Sequence, residues 1–134
     1  FERGVASHSD GDVALHALVD AILGALSDGD IGVHFPPSDE KWRDAKSEIF
    51  VAHALKLLTA RQGQLDHIDI TLICERPKLS PYRDEMRGRL ASLLGLPLSD
   101  ISLKATTTER LGFTGRAEGI AAQAVAPLRL PVTP

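Results

Sequence analysis

The chain lacks most residues that would give a small protein covalent support or unusual chemistry. Cys74 is the single cysteine among 134 residues, so no disulfide can close within the chain and no Cys-based zinc cage exists. This usage suits a reducing compartment. Aromatic residues amount to 4%, with one Trp and one Tyr, so the core must be built from Leu, Ile, Val and Ala. No apolar run approaches the roughly 18 residues needed to cross a bilayer, and no signal peptide is visible. A net charge of −3 lacks the basic footprint of a chain that binds nucleic acid or an anionic membrane. Neither is expected as a partner. The 43% hydrophobic and 25% charged residues are ordinary for a globular protein, and the length suits one domain. The first residue is Phe1, not Met, compatible with a processed chain or a piece of a longer one.

Phe1 to Gly11, with Gly4, His8, Ser9, Asp10 and Gly11, reads as a polar loop. From Asp12 the apolar residues Leu15, Leu18, Val19, Ile22, Leu23 and Leu26 recur at helical spacing. Asp10 or Asp12 is a suitable cap and Gly29 a suitable stop. The prolines and charges between Gly32 and Asp44 predict a loop. A second helix follows, with Ile49, Ala52, Leu55 and Leu58, and ends near Gly63. His67 to Cys74 alternates, with Ile68, Ile70, Leu72 and Cys74 on one face, and predicts a strand. A third helix is expected from about Ser80 to Leu94, a strand from Ile101 to Ala105, a polar loop from Thr106 to Glu118, and a small-residue strand from Gly119 to Leu130. Helices and strands do not alternate strictly. That favours an α+β layer, with helices on one sheet face and the other face or an edge open to another subunit.

Four polar clusters stand out. His8-Ser9-Asp10-Gly11-Asp12 is followed by His16, four residues after Asp12 and on the same helix face. His16 is either a metal ligand or a satisfied histidine at the core boundary, and two donors alone do not make a zinc site. Lys104-Ala105-Thr106-Thr107-Thr108-Glu109 leaves a strand, with Arg116 further along. Its hydroxyls and backbone N–H groups suit phosphate, and its carboxylate suits a divalent cation; the plainer alternative is a Thr-rich strand end. Cys74 to Pro81 is stiffened by two prolines and either presents backbone groups to a planar ligand or joins strand to helix with Ser80 as cap. Gly29-Asp30-Ile31-Gly32 places a carboxylate between glycines, to bind hydroxyls or to cap the preceding helix. His34, His53 and His67 carry no spacing signal and read as surface or loop residues. The coincidence of the clusters suggests a phosphorylated ligand and a metal held by several loops.

Together the strings HSDGDVALHAL (His8 to Leu18), GDIG (Gly29 to Gly32), FPPSD (Phe35 to Asp39), PK (Pro77-Lys78) and KATTTERLGFTGRAEGIA (Lys104 to Ala121) resemble the 2-C-methyl-D-erythritol 2,4-cyclodiphosphate synthase family over nearly the whole chain. The resemblance implies an α+β homotrimer with a mixed sheet, helices on one face and active sites between subunits. It implies an enzyme of non-mevalonate isoprenoid biosynthesis that closes a cytidine-diphospho-methylerythritol 2-phosphate into a cyclic diphosphate and releases CMP. The location implied is the cytoplasm, or the stroma of a plastid. The substrate's own phosphate is the nucleophile, so the protein's part is positioning and charge neutralisation.

Residue roles follow from the matching positions. The resemblance makes His8 and Thr107 catalytic, Thr107 as transition-state stabiliser, and gives His16 to Zn²⁺ and Glu109 to Mg²⁺ or Mn²⁺. Substrate contacts fall to His8, Ser9, Asp30, Ile31 and Gly32; to Phe35, Pro36, Pro37, Ser38 and Asp39 in a loop over the methylerythritol phosphate; and to Thr106, Thr107, Thr108 and Glu109 around the phosphates. Cys74, Pro77, Lys78, Leu79 and Ser80 match the cytosine pocket, and Phe113 and Arg116 the rest of the nucleotide side. Asp12 and Asp20 are support. Two features depart from the family. Its first strand, with an Asp-x-His motif supplying the other zinc ligands, has no counterpart, so residues 1–134 read as a synthase domain without that strand, in some members fused behind a cytidylyltransferase. Pro37 stands where an acid is usual. The competing readings are a catalytically silent, cytidine-binding trimeric module and a metal-dependent phosphohydrolase, which would need a carboxylate-rich centre the sequence does not show.

Overall fold

A computed structural model of the chain describes residues 2–36, 46–74, 83–107, 111–112 and 120–132, with side chains described from residue 11 onward. Helix α1 (Glu2–Ala25) is followed by the single turn α2 (Ile31–His34), α3 (Ser47–Ala60), β1 (Gln64–Leu65), β2 (Ile68–Ile73), α4 (Arg83–Leu94), a 3₁₀ turn at Leu98–Asp100, β3 (Ile101–Thr106), β4 (Ala121–Val125) and β5 (Leu128–Arg129). The class is α+β, as expected.

The main sheet has the order β3-β2-β4. It is mixed, with β2 parallel to β3 and antiparallel to β4. Strand β2 alternates cleanly: Ile68, Ile70 and Leu72 have no exposed surface, and Asp69, Thr71 and Ile73 point the other way. Period-two burial is what a sheet with one covered face imposes. Leu18, Val19, Ile22 and Leu23 of α1 are also wholly buried and join one core with Phe50, Val51, Ala54 and Leu58 of α3, Met86 and Leu90 of α4, and Ile101 and Leu103 of β3. Helix α1 packs on β2, β4 and α3, and α4 packs on β3. The opposite sheet face carries Thr71, Gln123 and the exposed Val125, together with a Lys104–Asp69 ion pair at 2.9 Å. That ammonium holds the Asp69 carboxyl below the usual carboxylate range.

Three expectations are corrected. Residues 2–11 are helical, not a loop. A stray glycine inside a helix costs only about 1 kcal/mol against Ala, and the buried stripe from Ala14 onward provides a nucleus from which the helix extends backwards. Asp10 and Asp12 therefore lie inside α1 rather than at its cap. The stretch after Asp30 is not wholly irregular, since capping makes the turn α2. In place of one strand from 119 to 130, the described residues form two short strands, β4 and β5, broken at Pro127 because proline has no N–H for a ladder. Strand β5 instead pairs with β1, a two-residue strand too short to leave a sequence pattern.

Gly63 joins α3 to β1 at a close approach. A Cβ there would collide with Leu58 and lie 2.7 Å from Leu130. Gly63→Ala is expected to destabilise the fold by about 1–3 kcal/mol through overpacking, read as a lower urea midpoint at constant m-value. An unchanged midpoint would show that the turn is not the tight fit described.

Candidate functional site

The candidate residues fall into two groups. The first lies where α1, α2 and α3 meet. Asp12, His16 and Asp20 follow at intervals of four along α1, which places them on neighbouring turns of one face. Asp12 accepts a hydrogen bond from the buried Ser47 hydroxyl at 2.9 Å, tying α1 to the start of α3. His16 is exposed. Its ring lies 5.8 Å from that of Phe50, so the satisfied core histidine is set aside in favour of an accessible imidazole. Asp20 is also exposed and accepts the Ile31 N–H at 2.8 Å.

Asp30 does not cap the preceding helix. Its backbone is extended, and its carboxylate accepts the Val33 N–H at 3.0 Å, starting α2. The chain reaches Asp30 through Gly29, whose φ of +82° favours glycine. Two carboxylates, Asp20 and Asp30, thus satisfy the first N–H groups of a four-residue helix that has too few internal bonds to hold itself. Gly32 sits within this turn and is exposed.

Phe35 is corrected from loop to core. It is 7% exposed, with its ring 4.5 Å from Phe50 and 4.9 Å from His53, because an aromatic side chain at the end of α2 gains more from burial than from solvent. What Phe35 can offer a ligand is therefore backbone, not ring. Pro36 is exposed beside it.

The second group lies at the C-terminal ends of the parallel pair β2 and β3. Ile73 pairs with Thr106, and the Cys74 N–H donates to the Thr106 carbonyl at 3.1 Å. The start of the Cys74–Ser80 segment and the start of the Thr106–Glu109 segment are therefore side by side. Cys74 is buried, so its side chain faces the core and only its backbone is available at this edge. Thr106 and Thr107 are exposed. His8 and Ser9 occupy turns of α1, with their side chains outside the described residues. Pro37, Ser38, Asp39, Pro77, Lys78, Leu79, Ser80, Thr108, Glu109, Phe113 and Arg116 also lie outside them. Among the described residues no three His, Cys, Asp or Glu side chains gather as a metal site requires. His16 is one donor, and a zinc site takes at least two more. A groove between α1 and α4, lined by Gly11, Ala14, Leu15, Met86, Arg89 and Leu90, is mainly apolar and holds none of the candidate residues.

Residues 1–129 match the YgbB family. This chain belongs to that family. Among its curated relatives, the bifunctional enzyme IspD/IspF of a Bradyrhizobium strain (BTAi1) is 61% identical over 96% of this chain and 33% of its own length. That of Rhodopseudomonas palustris strain BisA53 is 60% identical over 98% of this chain and 33% of its own. The chain thus spans about a third of these relatives. A solved 2C-methyl-D-erythritol-2,4-cyclodiphosphate synthase in a CDP-bound form superposes with a TM-score of 0.81 at 41% identity, over 91% of this chain and 79% of that one. The bifunctional IspDF of Campylobacter jejuni gives 0.84 at 42% identity, over 92% and 33%.

Sequence reasoning on this YgbB-family chain missed Ser47, His34 and His53. Ser47 is a polar residue buried at the head of α3, with its partner 35 positions away, and nothing local marks it. His34 and His53 read as surface residues, yet both are partly buried and joined ring to ring at 3.2 Å. Their separation of 19 residues has no helical or metal-ligand period. No membrane-crossing helix occurs among the described residues, in line with the short apolar runs.

The Asp20 contact makes a direct prediction. Asp20→Ala should remove the acceptor for Ile31 N–H, lower stability by about 1 kcal/mol as a lost cap does, and speed hydrogen exchange at the Ile31 amide. Asp20→Asn, which keeps an acceptor oxygen, should restore most of the protection. Unchanged exchange in the Ala variant would contradict the contact.

Proposed function

We propose that this chain is a 2-C-methyl-D-erythritol 2,4-cyclodiphosphate synthase domain. The observation that carries the reading is the 41% identity and 0.81 TM-score to a CDP-bound synthase over 91% of the chain. The CDP complex of the Plasmodium falciparum IspF, at 35% identity and a TM-score of 0.78, supports a cytidine nucleotide as the ligand class.

In this reading the substrate's 2-phosphate oxygen attacks the β-phosphorus. One P–O bond forms, the bond from that phosphorus to the bridging oxygen breaks, and CMP leaves with that oxygen. Nucleophile and electrophile belong to one molecule, so the rate depends on holding them in line and on offsetting the developing charge. The cytosine rests against backbone groups of residues 74–80, and Thr106 to Thr108 receive the phosphates. Thr107 donates to the transferring phosphoryl oxygens, with His8 near them. Asp30 to Gly32 take hydroxyl groups, and residues 35–39 cover the methylerythritol phosphate. His16 would hold Zn²⁺ with donors from outside this stretch of chain, and Glu109 would hold Mg²⁺ or Mn²⁺. Bound there, the cations would supply charge neutralisation and Lewis acidity.

The homotrimer belongs to the same proposal. Among the described residues no helix packs on the sheet face carrying Thr71, Gln123 and the exposed Val125, and a second copy covering it would bring the two residue groups of neighbouring copies together. A cytoplasmic location also belongs to this reading, in keeping with a lone, buried, reduced Cys74.

The test is turnover of the cytidine-diphospho-methylerythritol 2-phosphate by the full-length protein with zinc and magnesium, followed by ³¹P NMR. A cyclic diphosphate with stoichiometric CMP is expected. Thr107→Ala should lower kcat by about 10²–10³-fold, the scale of a lost transition-state donor, with a smaller effect on CDP affinity. His16→Ala should lose zinc and activity together. Intact substrate with filled metal sites would instead favour a silent nucleotide-binding module. Undiminished kcat in Thr107→Ala would remove that residue's role.

A further inference from the structure

The short helix α2 carries Ile31 and Gly32, follows directly from Asp30 and ends at Phe35. Asp20 and Asp30 hold its N-terminal end. Its C-terminal end is held differently. The His34 Nε2–H donates to the Asp28 carbonyl oxygen at 2.6 Å. A carbonyl only accepts, so the proton is fixed on Nε2 and Nδ1 is left as an acceptor. That Nδ1 faces His53 Nε2 of α3 at 3.2 Å, which therefore donates to it. The two rings, 5.1 Å apart, are tilted by 59°, and the Phe35 ring stands edge-on to His53 at 4.9 Å. The His34 side chain is only 16% exposed.

The pair is unsuited to hold a metal. Its facing nitrogens already share a hydrogen bond, the Asp28 carboxylate lies 3.8 Å from the opposite nitrogen of His34, and among the described residues no third donor converges with them. What the pair does is connect three pieces of chain, the turn at Asp28, α2 and α3, through bonds whose direction is set by a backbone carbonyl.

We propose that His34 and His53 are positioning residues, an oriented imidazole pair that fixes α2 and so presents Asp30, Ile31 and Gly32 to the substrate. The proposal rests on the synthase reading for the identity of that substrate. A proton added to each ring would make both facing nitrogens donors, and the bond between them would be lost. Among the described residues, the titratable and charged groups facing His53 are His34 from α2, Lys56 on its own helix and Asp28 from the turn. Burial first, then His34 and Lys56, push its pKa below the ordinary imidazole value, and only Asp28 opposes them. With the folded pKa depressed, the pair's contribution is complete above about pH 6.5, the ordinary value. It is lost as pH falls from that value through the depressed folded pKa.

The test uses the full-length protein in the turnover assay from pH 8 to pH 5.5. His53→Phe keeps a ring against Phe35 but cannot donate, while His53→Gln can donate and does not titrate. His53→Phe should raise KM about three- to tenfold, the value of one hydrogen bond, with kcat within about twofold. His53→Gln should restore KM at pH 8 and flatten its rise below pH 6.5 relative to the unsubstituted protein. Titration of the substrate phosphates affects all three proteins alike and cancels in the comparison. Imidazole ¹⁵N shifts should report His34 as the Nε2–H form at pH 8. A folded His53→Phe protein with unchanged KM and pH profile would overturn the proposal, as would a His34 protonated on Nδ1 alone at pH 8. Absence of turnover in the unsubstituted protein would instead overturn the synthase reading and the substrate role with it, while the ¹⁵N shifts would still decide the imidazole pairing.

Discussion

Three side chains of one strand set the geometry on which the rest depends. Ile68, Ile70 and Leu72 are wholly buried beneath α1. A slip of β2 by one residue would drive Asp69, Thr71 and Ile73 into the core and turn all three apolar groups to the open face. Fully burying each apolar chain stabilises by roughly 1.5–3 kcal/mol, so the register has no near competitor. Because β3 runs parallel in fixed register, that row also decides what lies at the strand ends. Cys74 comes to rest against Thr106, and two segments distant in sequence emerge at one edge.

The same row anchors α1, and α1 governs the other half of the site. Its buried side carries Leu18, Val19, Ile22 and Leu23, and its outward residues include His16 and Asp20. From Asp20 the constraint passes to Ile31 and so to a helix of four residues. An element this short has no independent stability. It persists because Asp20 and Asp30 accept its first N–H groups and the His34 ring ties it to Asp28 and to His53 of α3, which makes it the place where side-chain chemistry most readily alters shape. A sheet edge fixed in register and a turn held by titratable groups are a sensible division of labour for the flexible phosphorylated ligand of the proposed function.

Much of this was legible in the sequence because burial writes a period. The alternation through Ile68, Ile70, Leu72 and Cys74 gave β2, and the stripe from Leu15 to Leu26 gave the buried part of α1. The family resemblance rested on polar strings that no packing requirement explains. What could not be read is equally specific. The helical start of α1 follows from extension of a nucleus formed further along, not from the local residues, which include two glycines. Phe35 falls in the stretch that two adjacent prolines and several charges predict as a loop, although its ring is held by Phe50 and His53, contacts made only once α3 is in place. His34 and His53 meet through tertiary folding alone. Period and propensity report one element at a time, and these features belong to the junctions between elements.

The central claim is that the edge where β2 and β3 end is the nucleotide face. A crystal structure of the full-length protein with cytidine diphosphate tests it most directly. The account predicts the cytosine against the backbone of residues 74–80, the phosphates at Thr106 to Thr108, and Asp30 of a neighbouring copy turned toward the ribose side. A nucleotide bound away from the β2–β3 edge, with Thr107 making no phosphate contact, would contradict it.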